Sequence, residues 1–294
     1  MTTFYRRLPK FDYFAPQSME EVLKLLAEDN NGKYKVYAGG TDVFPRLKRR
    51  LIKAPEVLID LKSIPDLDYI EYDEEKGLRI GALATIYSVA NSPLVKEKFS
   101  ILSQAADSIA STQIQNRGTI AGNICNSVPS ADSAPALLAL EAKLLCVSSK
   151  RERIVEIEDF FLGPYKTVLK PDELLKEIQV PDMPKNSNGI YLKLSPRSRM
   201  DLAVVGVAVI VAAESGIFKD VRIGLASAAP VPIRANKAEE ILKGQVISDE
   251  LIMKAAQLAS EESKPRDSHR ASAQYRKWMF EVLVKRAINQ ALSK

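Results

Sequence analysis

The sequence predicts a mixed α+β protein that begins with an α/β unit and ends with an antiparallel sheet and helices. Three observations support this prediction. Residues 1–60 alternate between short apolar runs and helical patterns, as a small α/β unit does. Residues 61–181 contain further short apolar runs separated by turn-forming residues. Residues 190–228 contain strand patterns, and two helical patterns follow them.

The first unit is predicted as strand, helix, strand, helix, strand. Ser18 followed by Glu21 resembles a capping box, which predicts a helix over residues 19–29. The elements that follow are a strand over 35–38, a helix over about 42–51 and a strand over 56–60.

The turn after the second strand has the composition of an anion-binding loop. Residues 35–42 read Lys-Val-Tyr-Ala-Gly-Gly-Thr-Asp, and Gly39 and Gly40 lack the Cβ atoms that would keep a ligand from the backbone. Thr41 is predicted to cap the next helix, and Asp42 lies where the helix dipole favours negative charge. Such a turn offers N–H groups to a phosphate. The alternative interpretation is a tight turn that leads into an ordinary helix.

A second unusual stretch covers residues 113–132 and is rich in Gly, Asn and Ser. Its composition predicts a long loop with little regular structure, which is uncommon unless it binds a ligand. Asp132 precedes a helical run with Pro135 in the first turn. Two glycine loops that each lead into a helix could hold the two ends of a diphosphate, which is the argument for a dinucleotide. Asp132 could bond a ribityl or sugar hydroxyl or cap its own helix.

The other elements follow from apolar spacing and turn residues. Predicted helices cover residues 85–90, with Thr85 as the cap, then 100–111, 248–260 and 271–292. Predicted strands cover 78–81, 143–148, 152–157, 174–180, 190–194, 203–213, 217–223 and 224–228. Residues 181–189 are rich in turn formers and mark the expected domain boundary.

Composition excludes several classes of site. Two cysteines and one histidine in 294 residues cannot build a four-thiolate cluster or a zinc site, so redox chemistry requires an organic cofactor or a partner chain. The G-x-G-x-x-G fingerprint of nicotinamide domains is missing, because Gly39 and Gly40 are not followed by the later glycine of that pattern. The longest apolar run, residues 202–213, is too short to span a bilayer. The first seven residues are not followed by the apolar core of a signal peptide, so a cytoplasmic location is expected.

The net charge is +5, and its densest cluster lies on the predicted helix after the first glycine loop. The cluster consists of Arg46, Lys48, Arg49, Arg50 and Lys53. It is either a solvated helix face or a surface that attracts phosphates or an acidic partner.

Three motifs together resemble one family. Residues 38–42 (Ala-Gly-Gly-Thr-Asp), 119–123 (Thr-Ile-Ala-Gly-Asn) and 129–135 (Pro-Ser-Ala-Asp-Ser-Ala-Pro) resemble the FAD-binding medium subunit of molybdenum hydroxylases. That group includes xanthine dehydrogenases and aerobic carbon monoxide dehydrogenases. Residues 191–203 and the late stretch 267–276 extend the resemblance nearly end to end.

The resemblance implies a fold of the PCMH or vanillyl-alcohol-oxidase type. Residues 1–181 would form an FAD-binding domain with subdomains of about 1–60 and 61–181. Residues 186–294 would form a C-terminal domain in which an antiparallel sheet packs against helices.

Site residues follow from the resemblance by position. The residues expected near the diphosphate are Lys35, Val36, Tyr37, Ala38, Gly39, Gly40, Thr41 and Asp42 on one side. The other side would consist of Ile109, Gly118, Thr119, Gly122, Asn123, Cys125 and Asn126. Asp132 would lie near the ribityl chain, and Leu175 and Lys193 would approach the isoalloxazine. Lys193 could instead extend from a sheet face towards solvent.

Two departures from the family pattern affect the expected contacts. Gly-Gly-Thr-Asp stands where some relatives have Gly-Gly-His-Ser, and Ala121 replaces a glycine that is usual in the second motif.

The implied function is electron transfer without a catalytic side chain. The resemblance implies non-covalent FAD that takes electrons from [2Fe-2S] clusters on a small subunit, which receive them from a molybdopterin large subunit. The FAD would reduce NAD⁺ or another acceptor. The alternatives are a free-standing flavin reductase or oxidase of the same superfamily, and a module that binds nucleotides or nucleic acids through the basic helix.

Overall fold

Sheets of three, five and four strands organise the chain in the computed structural model, which describes residues 7–29, 32–198 and 200–293. A two-stranded hairpin adds a fourth, smaller sheet. Residues 1–6, most of the segment on which the absence of a signal core was judged, lie outside the described residues.

The first unit has the predicted alternation of strands and helices. Its elements are β1 (Asp12–Phe14), α1 (Met19–Glu28), β2 (Tyr34–Tyr37), α2 (Val43–Lys48) and β3 (Val57–Asp60). The strands are parallel in the order β1-β3-β2. Ser18 caps α1, since its hydroxyl accepts the Glu21 N–H at 3.3 Å. The capping box is not reciprocal, because the Glu21 carboxylate accepts the N–H of Gln17 instead, at 2.8 Å.

The second unit is built on an antiparallel sheet in the order β4-β5-β10-β6-β7. Its strands, with those of the hairpin, are β4 (Ile70–Asp73), β5 (Gly77–Gly81), β6 (Lys143–Val147), β7 (Glu152–Glu156), β8 (Phe161–Gly163), β9 (Lys166–Thr167) and β10 (Leu174–Val180). Its helices are α3 (Ile86–Asn91), α4 (Pro93–Lys98), α5 (Ser100–Asp107), α6 (Thr112–Gln115), α7 (Ile120–Cys125), α8 (Ser133–Ala139) and α9 (Ile157–Phe160).

The prediction of a long irregular loop over residues 113–132 is wrong. The stretch contains the end of α6 and the whole of α7. Thr119 caps α7 by accepting the Gly122 N–H at 2.9 Å, and Ile120 and Ile124 are buried. A side-chain cap together with burial of the apolar side chains stabilises this short helix despite its Gly and Asn content. The helix predicted over residues 100–111 is α5, which ends at Asp107, four residues earlier than predicted.

The third unit is an antiparallel sheet covered by helices, as expected for the C-terminal part. Its elements are β11 (Ser187–Leu194), β12 (Val205–Glu214), β13 (Ile217–Ala226), β14 (Ile233–Arg234), α10 (Asn236–Leu242), α11 (Asp249–Glu262) and α12 (Ala273–Leu292). The predicted separate strand over 224–228 is wrong, because the β12 ladder continues along β13 as far as Ala226. The helix α10 was not predicted. Within the described part of the chain, no helix combines the length and apolar character that a membrane crossing requires.

The C-terminal sheet is shared by two hydrophobic cores. On β12, which contacts α12 and α8, Val207 and Val209 belong to the core of the third unit, whereas Ala208 and Ile210 belong to the core of the second unit. All four side chains are fully buried. An uninterrupted valine-rich run is typical of a strand that is buried on both faces. The C-terminal sheet therefore packs against α8, the helix that follows the second glycine-rich stretch.

Candidate cofactor-binding cleft

A cavity of about 1060 Å³ lies where the three units meet. Its size is slightly above the roughly 300–1,000 Å³ that is usual for pockets that bind small molecules. Every residue expected at the site lines this cavity except Lys193. The lining set is Lys35, Val36, Tyr37, Ala38, Gly39, Gly40, Thr41, Asp42, Ile109, Gly118, Thr119, Gly122, Asn123, Cys125, Asn126, Asp132 and Leu175. The structure thus brings together residues that lie up to 140 positions apart (35 and 175).

The two glycine loops touch each other in the wall of the cavity. A Cβ atom on Gly39 would overlap the carbonyl oxygen of Arg117 and lie 2.8 Å from Cα of Gly118. A Cβ atom on Gly118 would lie 3.4 Å from Oγ1 of Thr41. The loops can approach this closely because Gly39 has no side chain. Two stretches almost 80 residues apart (39 and 118) therefore present their backbones side by side.

The first loop leaves several backbone donors free to bind an anion. Gly40 has a φ of +72°, a conformation that favours glycine, and its carbonyl accepts the Phe44 N–H at 3.1 Å. Within the described residues, the N–H groups of Gly39, Gly40 and Thr41 have no acceptor. The prediction that Thr41 caps α2 is wrong. Asp42 occupies the capping position, already has a helical conformation and makes no capping bond with its side chain.

The second loop adds a donor from the start of α7. Thr119 uses its hydroxyl to cap the N–H of Gly122, whereas the N–H of Ala121 has no acceptor within the part of the chain that is described. Ala121 lines the cavity with its neighbours. The N-terminal turn of a helix favours negative charge, and α7 therefore reinforces the first loop.

Positive side chains surround the glycine loops. Burial lowers the pKa of the Lys35 ammonium, and the nearby Arg46 lowers it further. The Arg46 guanidinium lies 3.8 Å from the centroid of the Tyr165 ring, and both residues line the cavity. Burial raises the pKa of the Asp42 carboxyl, although Arg46 and a hydrogen bond with Asn126 oppose this shift. A bound anion would relieve the repulsion between Lys35 and Arg46.

Asp132 lines the cavity, and its carboxylate accepts hydrogen bonds from two buried side chains of β11. The Tyr191 hydroxyl donates to its Oδ1 at 2.7 Å, and the Lys193 ammonium donates to its Oδ2 at 2.8 Å. Lys193 also donates to the carbonyl of Ser108 at 2.9 Å. Burial raises the pKa of Asp132, and the bonds from Lys193 and Tyr191 oppose this rise.

These contacts bear on the capping role that was considered for Asp132 and on the position expected for Lys193. Asp132 makes no capping bond to α8 with its side chain, so the capping interpretation is wrong. Lys193 neither reaches solvent nor lines the cavity, because its side chain is only 6% exposed and lies behind Asp132. Lys193 therefore contacts the Asp132 carboxylate and the Ser108 carbonyl instead of the cavity.

Sequence reasoning missed several polar residues of the cavity. Arg46, Tyr165, Glu173, Arg266 and Arg270 line it. Arg46 belongs to the basic cluster that was assigned to one helix, but α2 ends at Lys48, and the Arg46 guanidinium packs on Tyr165 at the cavity. Arg266 and Arg270 flank the late Asp-Ser-His motif, which was the only signal in the sequence that could have identified them.

The residues present fit a dinucleotide such as FAD. Free N–H groups from two adjacent loops suit a diphosphate, and the cavity continues from these loops to Asp132, whose carboxylate can accept a hydrogen bond from a hydroxyl group. Among the described residues, no group of three or more His, Cys, Asp or Glu side chains could hold a metal ion.

Comparison with known proteins identifies the family. Residues 9–183 match the family described as the FAD binding domain in molybdopterin dehydrogenase, and residues 190–291 match the CO dehydrogenase flavoprotein C-terminal domain. The carbon monoxide dehydrogenase medium chain of Hydrogenophaga pseudoflava is 34% identical over 283 residues, which cover 96% of this chain and 97% of that protein. The putative xanthine dehydrogenase FAD-binding subunit of Escherichia coli (strain K12) is 32% identical over 96% of both chains.

A solved structure has the same fold. The structure of carbon monoxide dehydrogenase from Hydrogenophaga pseudoflava, in a form that lacks the Mo-pyranopterin moiety of the molybdenum cofactor, aligns with a TM-score of 0.93 and 35% identity. The alignment covers 98% of this chain and 99% of that chain. The resemblance drawn from the three motifs is confirmed, as are the fold class and the assignment to oxidoreductases. The chain belongs to the family of FAD-binding medium subunits of molybdenum hydroxylases, which includes carbon monoxide dehydrogenases and xanthine dehydrogenases.

Proposed function

We propose that the cleft holds FAD without a covalent bond and that the chain works as one subunit of a hetero-oligomer. Electrons would arrive from [2Fe-2S] clusters of a small subunit, which a molybdopterin large subunit supplies. They would leave to NAD⁺ or another acceptor. The single observation that supports this proposal most strongly is the contact between the two glycine loops, where Gly39 packs against Arg117 and Gly118.

In this proposal the glycine loops bind the diphosphate. The N–H groups of Gly39, Gly40, Thr41 and Ala121 would donate to its oxygens. Lys35 and Arg46 would supply positive charge.

The remaining lining residues would orient the rest of the cofactor. Asp132 would accept a hydrogen bond from the ribityl chain, and Tyr191 and Lys193 would hold its carboxylate in place. Leu175 is apolar and 2% exposed, which suits contact with an aromatic ring. When bound, FAD supplies the redox chemistry that links single-electron carriers to a two-electron acceptor. The residues of this chain bind and orient the cofactor and are not required to transfer a proton.

The partner chains are inferred from the relatives and from composition. The relatives from Hydrogenophaga pseudoflava and Sulfolobus acidocaldarius are named as medium chains of dehydrogenases, which implies other chains in the same enzymes. Two cysteines and one histidine cannot hold iron–sulfur clusters in this chain, so the clusters and the molybdenum cofactor would reside on partners. A cytoplasmic location is part of the same proposal.

The direct test is to identify the chromophore. The chain is purified with any subunits that remain attached, its visible spectrum is recorded, and the compound released by acid is identified. Gly40→Val and Gly122→Val should each lose most of the bound FAD. In Gly40→Val the added side chain meets the Phe44 ring, 2.5 Å from the Cβ position, and in Gly122→Val it meets the capping hydroxyl of Thr119, at 2.9 Å.

Gly244→Val is the matched control for backbone strain. Gly244 has a φ of +75°, close to the +72° of Gly40, but no atom lies within 4 Å of its Cβ position and it is not part of the cleft. We expect the control to keep the flavin-to-protein ratio of the wild type. Full flavin content in both cleft variants would contradict the assignment of the site.

The two alternative functions make different predictions. A free-standing flavin enzyme would turn over a substrate without partner chains, whereas the proposed subunit would not. A nucleic-acid module would show binding that falls steeply with salt and would contain no chromophore. The geometry of the basic cluster supports the flavin subunit over the second alternative. Its residues do not share one helix, since α2 ends at Lys48, and the Arg50 guanidinium donates to the Leu47 carbonyl at 2.8 Å.

A further inference from the structure

One buried carboxylate holds the end of the strand that leads into the first glycine loop. Asp60 is the last residue of β3, and it lies opposite Tyr37, the last residue of β2, in the parallel sheet. The Tyr37 hydroxyl donates to Oδ2 of Asp60 at 2.6 Å, and both side chains are buried. The Lys62 ammonium donates to both carboxylate oxygens at 2.7 Å, and the Lys62 N–H donates to Oδ1 at 3.0 Å. Asp60 is therefore a fixed acceptor for the Tyr37 hydroxyl, and its charge is compensated.

The ring of Tyr37 lies against the glycine loop. A Cβ atom on Gly40 would lie 3.2 Å from Cδ2 of Tyr37 and 2.5 Å from Cε2 of Phe44. The two rings contact each other edge to face, with their centroids 5.0 Å apart. The Lys62 ammonium lies 4.1 Å from the centroid of the Tyr37 ring. Two aromatic rings thus enclose Gly40, and the hydroxyl of one of them is bonded to Asp60.

The bond between Tyr37 and Asp60 is charge-assisted. Burial raises the pKa of Tyr37, and the bond to Asp60 raises it further, so the hydroxyl keeps its proton. Burial alone would raise the pKa of Asp60, but the hydrogen bonds from Lys62 and Tyr37 outweigh this effect and lower it. A hydrogen bond to an ionised acceptor is stronger than one between neutral groups. The Tyr37 ring is therefore held firmly at the loop.

Asp60 itself is remote from the cavity surface. Tyr37 lines the cavity, whereas Asp60, Lys62 and Phe44 do not. We propose that Asp60 and Tyr37 are positioning residues for the first glycine loop. Their bond holds the Tyr37 ring against Gly40 and so keeps the N–H groups of residues 39–41 in the arrangement that the diphosphate of FAD requires. A loop that is ordered before binding loses less conformational freedom when the ligand arrives. This inference rests on the proposed function, because it takes FAD as the ligand.

The test compares Tyr37→Phe with Tyr13→Phe. The Tyr13 hydroxyl donates to the same oxygen of Asp60 at 2.8 Å, but Tyr13 does not line the cavity. Each variant removes one hydroxyl group and one bond to Asp60. The full chain, with any subunits that remain attached, is freed of FAD and titrated with FAD. The dissociation constant should rise roughly fivefold to thirtyfold in Tyr37→Phe and stay within about twofold of the wild type in Tyr13→Phe.

Two further variants separate positioning from general stability. Val22→Ala removes buried methyl groups from α1 at a position that does not line the cavity, and it should lower the melting temperature. Its dissociation constant for FAD should nevertheless stay within about twofold of the wild type. Asp60→Asn should weaken FAD binding. The double variant of Tyr37→Phe and Asp60→Asn should bind FAD no more weakly than the weaker single variant, because both changes act through one bond.

The spectrum of the bound flavin completes the test. At saturating FAD, the visible spectrum of Tyr37→Phe should match that of the wild type, because the loop is assigned to the diphosphate and not to the ring. A changed spectrum would place the effect at the ring and overturn the inference. Wild-type affinity in Tyr37→Phe, equal losses in Tyr37→Phe and a control, or additive losses in the double variant would also overturn it, with the proposed function intact. A wild-type chain that does not bind FAD refutes the proposed function as well.

Discussion

Asp132 and Lys193 form a buried ion pair directly behind the wall of the cleft. Their side chains are 7% and 6% exposed, and the bond between them measures 2.8 Å. A buried pair adds little net stability, but removal of one partner leaves the other charge without compensation. The pair therefore serves to hold the Asp132 carboxylate in a defined position next to the ligand.

We predict that Asp132→Asn lowers the free energy of unfolding of the flavin-free protein by about 3–5 kcal/mol, because the Lys193 ammonium stays buried. Lys193→Met should cost a similar amount, since it leaves the carboxylate unpaired. The double variant should be more stable than the sum of the two losses implies. Urea denaturation of the four proteins gives the coupling energy, and strictly additive losses would show that the two groups do not interact.

The identity of this pair could not be predicted from the sequence. The resemblance placed Asp132 near the ribityl chain and Lys193 near the isoalloxazine, but it did not pair them, and 61 positions separate them. Only the packing of β11 against the second unit brings the two side chains together. In contrast, the conformation of Gly40 and the contact made by Gly39 follow from the residue type, because no other residue tolerates these positions without strain.

Glu173 joins the start of β10 to neighbouring elements of the second unit. Its carboxylate accepts two bonds from the Arg153 guanidinium, at 2.8 and 2.7 Å, and one from the N–H of Lys170 at 2.9 Å. These bonds lower the pKa of Glu173 to about 2. Because the folded pKa is depressed, the stabilisation is complete above the ordinary value near 4.5 and is lost as the pH falls towards 2.

We predict that Glu173→Gln lowers the free energy of unfolding at pH 7 by roughly 2–3 kcal/mol and weakens its acid dependence between about pH 5 and pH 2. The control is Glu156→Gln, since Glu156 is exposed and lies 3.6 Å from Lys143. That variant should change stability by less than about 1 kcal/mol. Equal pH dependence in the Glu173 variant and the wild type would refute the role assigned to this carboxylate.

Three helices with local capping signals were predicted correctly, whereas two helices whose stability depends on packing were missed. Ser18, Thr85 and Ser248 each cap a helix that the sequence predicted, because the capping bond involves neighbours three residues away. The short helix α7 was missed because its Gly and Asn residues favour a loop, and its stability comes from burial. α10 was missed for a related reason, since its stability comes from burial of Ala238 and Leu242 where it packs against β13 and α11.

The shared sheet should couple the whole molecule during unfolding. Ile210 and Val209 are adjacent on β12 but belong to different cores. We predict that Ile210→Ala lowers the stability by about 2–5 kcal/mol and that Val209→Ala has a smaller effect of the same kind. Both variants should show one transition in calorimetry, at a lower temperature than the wild type. Two separated transitions, with only one of them shifted, would contradict the coupling.

The candidate site was predictable in part. Its glycine motifs are contiguous in the sequence, whereas the cavity residues that were not predicted lie far from these motifs. Gly39, Gly40 and Thr41 lie in one short stretch, so that the resemblance placed them at the proposed site by position, whereas Ala121 was not among the expected site residues. Arg266 and Arg270 resemble ordinary surface arginines in the sequence, and only the fold brings them to the cavity. The domain limits of 1–181 and 186–294 remain a prediction.

The central claim is that two distant glycine loops bind a single diphosphate. The most direct measurement is an experimental density map of the complex with FAD bound. The account predicts diphosphate oxygens within hydrogen-bond distance of the N–H groups of Gly39–Thr41 and of Ala121. A diphosphate bound elsewhere in the cleft, or held by only one of the two loops, would contradict it.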